Sequence, residues 1–151
     1  MSPHIFLLLN LCLAFYNVGT IWAHEVDTFR TWKLLGAQQF HHVQEAHWQK
    51  LPYWVLGPVG IGFVGALVLV WFHPAGSPTW AIWVALISQG VCHVLTGAFW
   101  GRWQAKLSKD ERGPQSPYLA KIVATHWVRT LLVNLYAGTL LAWVLLSRSA
   151  S

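Results

Sequence analysis

Eight histidines stand against only five carboxylates in this 151-residue chain, and their placement, more than their number, points to chemistry. His41, His42 and His47 crowd one polar stretch with Glu45, while His24, His93 and His126 interrupt apolar runs. Gln38, His41, His42 and Glu45 recur at three- and four-residue steps, which on a helix gathers imidazole and carboxylate on one face. Those two groups are the usual ligands of iron, copper and zinc. His24, His41, His42, Glu45, His93 and His126 are therefore the candidate metal ligands, with iron or copper favoured. A haem held by two histidines, His93 with His126 or His24, is the lesser alternative. No Glu-x-x-His pair of the di-iron type and no His-Glu-x-x-His zinc motif is present, so spacing alone does not choose the metal. The same groups also support metal-free catalysis. His126, His24 and Glu45 would serve as general acid and base while Arg129 holds a developing anion. The substrate would then be a lipophilic phenol, enol, quinol or sterol-like molecule entering from lipid.

Each of these residues also has an ordinary role open to it. His24 and His126 could bond lipid headgroups, the loop histidines could form a solvated helix face, and Asn10, Asn17, Gln89 and Asn134 could join helices through hydrogen bonds. Convergence is what separates the two accounts. Asn10, Asn17 and His24 step by seven with Thr20 between; Gln89, His93, Thr96 and Trp100 step by three and four, as do His126, Thr130 and Asn134, with Arg129 beside them. Residues at these spacings share a helix face.

The elements that must position these faces are set by the solvent. Apolar residues make up 55% of the chain and charged ones 10%, against roughly 25% charged in a soluble domain. About 20 apolar residues cross a bilayer as a helix, and residues 5–23, 54–72, 79–101 and 122–146 qualify. The reading is an all-α, integral membrane four-helix bundle, one domain over 1–151, with an amphipathic helical first loop. That loop carries Phe29, Trp32, Gly36, Phe40 and Val43 at helical steps and is expected to lie against the bundle and to end at Pro52. Residues 73–78 form a tight turn. Glycines 57, 60, 62 and 65 suit close packing of the second span, and Gly97, Gly101 and Gly138 are read as packing positions too. Cys12 and Cys92 fall in apolar runs at different depths, which argues against a disulfide framework.

Tryptophans gather at bilayer interfaces. Trp71, Trp80, Trp83 and Trp143 fall toward one side of the four spans, and Trp22, Trp54, Trp100, Trp103 and Trp127 toward the other. Arg30, Lys33, Lys50, Arg102, Lys106, Lys109, Arg112 and Lys121 occupy the two long connections, with only Arg148 opposite. The positive-inside rule makes those connections cytoplasmic and both termini non-cytoplasmic, in a bacterial inner membrane. A cleaved signal peptide is disfavoured, since the n-region lacks Lys and Arg and Ile21 is poor before a cleavage site. The basic residues form no single patch, so nucleic acid is not an expected partner.

The polar end of span one, the long amphipathic loop, the entry to span two at Leu51-Pro-Tyr-Trp54 and the start of span four at His126-Trp-Val-Arg129-Thr130 together resemble the anthrone oxygenase-like family of small four-span membrane proteins. The resemblance covers most of the chain. It implies oxygenation of a polycyclic phenolic substrate without an obvious bound cofactor, with His24, His42, His126 and Arg129 as site residues. The expected function is thus a membrane-embedded, oxygenase-like oxidoreductase with a His-rich site near the cytoplasmic leaflet. The alternative is a non-enzymatic subunit or assembly factor of a membrane complex, binding haem or a pigment, and oligomerisation is compatible with either. The site expected from sequence gathers His126, Arg129 and His93 with His24 and at least one of His41, His42 and Glu45.

Overall fold

A computed structural model describes residues 1–149, and the side chain of Arg148 lies outside the described set. Four helices, each long and apolar enough to cross a membrane, make up the chain: α1 (Pro3–Trp32), α2 (Ala37–Val68), α3 (Thr79–Leu107) and α4 (Pro117–Ser149). No strand occurs among the described residues. Short connections at 33–36, 69–78 and 108–116 make neighbours antiparallel. The helices therefore close a ring, with α4 packed mainly between α1 and α3.

Helices of about 30 residues are about 45 Å long, against about 30 Å of hydrocarbon. The surplus explains how the fold departs from the expected first loop. No separate helix lies over the bundle. Instead α1 runs on to Trp32, the chain turns at 33–36, and a helix from Ala37 continues through Pro52 into the second span. Phe29, Trp32 and Phe40 meet Leu107, Leu119 and Ile122 in a core of their own at this end. Burying each such side chain is worth about 1.5–3 kcal/mol, which holds the extension upright. Its inward face carries Phe40, Gln44 and His47, while Val43 is exposed.

Pro52 does not end a helix, because the backbone changes register there. A proline lacks an N–H and clashes with the carbonyl four residues back. The chain forms a π-helical turn at Pro52–Leu56, closed by Gly57 N–H to the Pro52 carbonyl. Matching π turns occur at His24–Thr28, closed by Phe29 N–H to the His24 carbonyl, and at Thr96–Trp100, closed by Gly101 N–H to the Thr96 carbonyl. Such turns widen a helix and re-aim its side chains, often at functional sites.

The opposite half is packed by Leu7, Ala14, Ala66, Ala85, Tyr136, Leu140 and Trp143. Trp143 is fully buried and donates from Nε1 to Ser77 Oγ at 2.9 Å, tying α4 to the 69–78 turn. It and the buried Trp100 are thus interior residues, not interfacial ones, because each indole N–H has a protein acceptor. Trp22, Trp54, Trp71, Trp80, Trp83 and Trp127 are exposed. Cys12 is exposed, Cys92 is buried, and both are free thiols.

Two of the four span-two glycines do close packing. A Cβ on Gly65 would stand within 2.8 Å of Asn10 Cγ, and one on Gly62 at 3.4 Å from Asn17 Nδ2. Asn10 is itself buried and donates to the Phe6 carbonyl at 2.9 Å, so it has little room to yield. Gly65→Val is expected to cost about 1–3 kcal/mol by overpacking, measured as a lower unfolding midpoint in mild detergent. An unchanged midpoint would mean that α1 and α2 separate freely there. Gly97 and Gly138 differ, since nothing stands within 4 Å of a Cβ at either position. They are not packing positions in this bundle.

The 108–116 turn is clasped from within. Arg112 donates through Nε and Nη2 to Asp110 at 2.8 Å each, and Ser116 Oγ donates to Asp110 at 2.6 Å. The Arg112 hydrogen bond, then that of Ser116, holds the Asp110 carboxyl well below the usual carboxylate range. The clasp is therefore intact through neutral pH and released only in strong acid. Gly113, at φ 57°, lies 3.0 Å (from its would-be Cβ) from the Ala37 Cα, so a side chain there would be both strained and crowded.

Candidate functional site

The three π turns surround one internal cavity of about 160 Å³ at the His-rich end of the bundle. α1 contributes Ile21, His24 and Phe29; α2 contributes His47, Trp48, Leu51, Val55 and Leu56. α3 supplies Thr96, Gly97, Trp100, Gly101 and Gln104, and α4 supplies Arg129. A second, more open space of about 370 Å³ shares His24, His47, Leu51 and Val55 with it and adds Thr28, Lys50 and Trp54. The inner cavity thus has a polar vestibule.

Two imidazoles at this end, His24 in the cavity wall and the buried His126 beside it, are held by hydrogen bonds that leave Nε2 of each free. His24 Nδ1 lies 2.7 Å from the Thr20 carbonyl. A carbonyl only accepts, so Nδ1 carries the proton and Nε2 presents a lone pair. His126 is completely buried, and its Nδ1 lies 2.8 Å from Glu25 Oε2. The carboxylate orients that ring in the same sense, leaving Nε2 as the free acceptor. The His24 ring stands 5.1 Å from that of His47 and 6.4 Å from that of His126, centroid to centroid. Phe29 packs edge-on against His126 at 4.8 Å. Nε2 of His24, His47 and His126, Oε1 of Gln104 and Nε of Arg129 are all buried without a hydrogen-bond partner.

Arg129 is the least expected of these groups. A cation at this depth is costly unless it is paired. The carboxylates of the first half of the chain do not pair with it: Glu25 is engaged by His126, and Glu45 and Asp27 are exposed. Among the described residues no carboxylate forms an ion pair with Arg129. Its guanidinium instead lies over the Trp100 ring, 4.2 Å from the centroid. Trp100 is fixed in turn by its Nε1 donating to Thr125 Oγ1 at 2.8 Å. A cation–π contact of this kind is worth about 0.5–2 kcal/mol, which leaves the positive charge largely uncompensated and facing the cavity.

The residues expected from sequence are therefore divided. His24 and Arg129 line the cavity, while His126 is fully buried beside His24, ring centroids 6.4 Å apart, and is not part of the wall. His93 does not line the cavity: its ring packs on Phe63 at 4.6 Å and its Nδ1 sits 2.8 Å from the Gln89 carbonyl. His42 and Glu45 are exposed, and His41 packs beside Phe40 at 6.1 Å, because the face that docks on the bundle is 40–44–47. Among the described residues no group of three or more His, Cys, Asp or Glu is placed to hold a metal ion. The six-residue ligand set is thus not assembled.

His47 and Glu25 take the places assigned to the loop imidazoles and to Glu45. His47 was legible as the continuation of Phe40 and Gln44 in steps of three and four toward Leu51, a stripe with as good a period as the one ending at Val43. Gln104, 8% exposed, carried no signal, since it lies beyond the expected end of the third span. The chain matches no family model, no curated protein and no solved structure, so its own geometry carries the reading of this site.

Proposed function

We propose that this protein is a membrane-embedded oxidoreductase that binds the ionisable head of a lipophilic phenol or enol and removes its proton, opening it to oxidation by dioxygen. One observation carries the proposal. An uncompensated guanidinium and the unpartnered Nε2 atoms of His24 and His47 meet at an internal cavity. A free Nε2 lone pair beside a fixed cation is the arrangement that general-base removal of an O–H proton requires.

Magnitudes support the pairing of base and cation. A phenol titrates near 10 and an imidazole near 6.5, so proton transfer between them in water is uphill by about 5 kcal/mol. A cation about 4 Å from the new anion, at an effective dielectric of about 20, offsets about 4 kcal/mol. Arg129 thus offsets most of the cost of forming the anion, while the same charge repels the imidazolium that forms, so a carboxylate beside the imidazoles is required as well. Glu25, hydrogen-bonded to His126 beside His24, supplies that carboxylate and positions the His126 ring.

Cavity size bears on the substrate. A void of about 150 Å³ takes one benzene ring, so 160 Å³ accommodates a single aromatic ring and a polycycle must extend into the vestibule. The resemblance to anthrone oxygenases suggests the overall conversion. A ring methylene, enolised and deprotonated, takes one oxygen atom from dioxygen to become a carbonyl, and the second oxygen atom leaves as water. With the basic connections cytoplasmic, the site would face the cytoplasmic leaflet.

Protein in nanodiscs, supplied with anthrone under labelled dioxygen, should consume one dioxygen per carbonyl formed, with one labelled atom in the product, well above the spontaneous rate. Uptake no faster than in empty nanodiscs would overturn the proposal, as would a Soret band in the purified protein, which would favour a haem-binding subunit.

A further inference from the structure

We propose that the cavity has a second, lipid-facing mouth between α2 and α3, and that its ligand is a membrane-borne amphiphile whose phenolic head enters there while its tail stays in the bilayer. The proposal rests on the reading of the cavity as a phenol or enol site and adds the substrate class and route.

Cavity-lining residues are not equally enclosed. Ile21, Phe29, Trp100 and Gln104 are buried. Leu56, at 44% exposure, and Trp48, at 39%, line the cavity and also reach the outer surface, and Gly97 is exposed as well. These residues stand on the Pro52–Leu56 and Thr96–Trp100 π turns and the turn of α2 before them. A side chain at Gly97 would project into open space. The absence of one there leaves the gap unfilled.

Composition around the gap identifies what lies outside. Tyr53 and Leu56 are exposed on the first of these π turns, Phe99 on the second and Val94 just before it, and neither turn carries a charged residue. Leu56, Val94, Gly97 and Phe99 belong to the apolar stretches that fit a bilayer, so this mouth opens to lipid and not to water. The vestibule on the other side carries Lys50, His24, His47 and Thr28 and opens to water. An inner chamber with polar, unpaired atoms and one apolar exit fits a molecule with an ionisable head and an apolar tail. Gln104, more than nine-tenths buried with Oε1 unpartnered, supplies an acceptor for the head, and Arg129 supplies the charge. A chamber of 160 Å³ cannot also hold a long tail, which must leave through the gap.

The experiment separates the portal from the site. Binding of 4-dodecylphenol and of tail-less p-cresol is measured in nanodiscs for the wild type, Gly97→Leu, Leu56→Trp and Arg129→Gln, each first checked for helix content and unfolding midpoint. Because Gly97 and Leu56 also line the chamber, the readout is the difference between ligands: Gly97→Leu and Leu56→Trp should weaken 4-dodecylphenol at least tenfold more than p-cresol, which can use the vestibule. Arg129→Gln should weaken both. If neither portal variant affects 4-dodecylphenol while Arg129→Gln weakens both ligands, the portal is wrong and the phenol site stands. Equal weakening of both ligands by the portal variants would also overturn the portal, since it would mark a collapsed cavity and not a blocked tail. If the wild type binds neither ligand, both proposals fall.

Discussion

Replacing Arg129 with Leu is expected to lower turnover by at least two orders of magnitude and to leave the helical fold intact. A single preorganised group that stabilises a developing oxyanion is worth about 10²–10³ in rate. The fold should survive because Arg129 makes no ion pair among the described residues, so its removal strands no buried carboxylate. A shorter apolar side chain forfeits the contact with the Trp100 ring, worth about 0.5–2 kcal/mol, but removes an unpaired buried charge. Unfolding midpoint and turnover should therefore move in opposite directions, the first unchanged or raised, the second lost. His73→Ala is the control. His73 sits in the 69–78 turn at the far end of the bundle, with its Nδ1 3.0 Å from the Pro74 carbonyl, and should leave turnover unaffected. Equal damage from both substitutions, or a folded Arg129→Leu protein with full activity, would remove Arg129 from the site.

Glu25→Gln is expected to reduce kcat about 100-fold or more with KM within about threefold. Glu25 acts through His126, not on the substrate, so it is a positioning residue. The carboxylate holds Nδ1–H at 2.8 Å and leaves Nε2 as the acceptor. An amide can turn its NH₂ toward Nδ1 instead, which moves the proton to Nε2 and removes the acceptor beside the cavity base His24. General-base catalysis contributes about 10²–10⁴, so the loss falls on kcat. A merely structural Glu25 would lower stability and raise KM. Glu45→Gln and His42→Ala, both exposed, should change kcat by less than twofold. Should Glu45→Gln cost as much as Glu25→Gln, the base belongs to the loop and the His126–Glu25 pair is incidental.

The sequence by itself determined the solvent, the four helices and the end at which polar chemistry collects, because those depend on local quantities. Hydrophobic length, a tenth of charged residues, the seven-residue step of Asn10–Asn17 and the three- and four-residue steps of Gln89–Thr96 and His126–Asn134 are properties of single segments. The buried positions of Asn10, Asn17, Gln89, His126 and Thr130 follow from them. Tertiary structure alone decided which partners meet. Val43 and His47 are four residues apart on one side of a helix with no dominant apolar stripe, and only docking onto Leu107, Leu119 and Ile122 turned His47 inward and left Val43, His42 and Glu45 exposed. His93 shares a helix face with Gln89 and Thr96, yet it faces Phe63, because the α2–α3 contact in mid-membrane occupies that side. The cavity itself needed three helices to change register at one level, at His24, Pro52 and Thr96. Only at Pro52 did the residue type announce a break. At the other two the backbone trades one hydrogen-bond register for another at little local cost, and packing between helices chooses where.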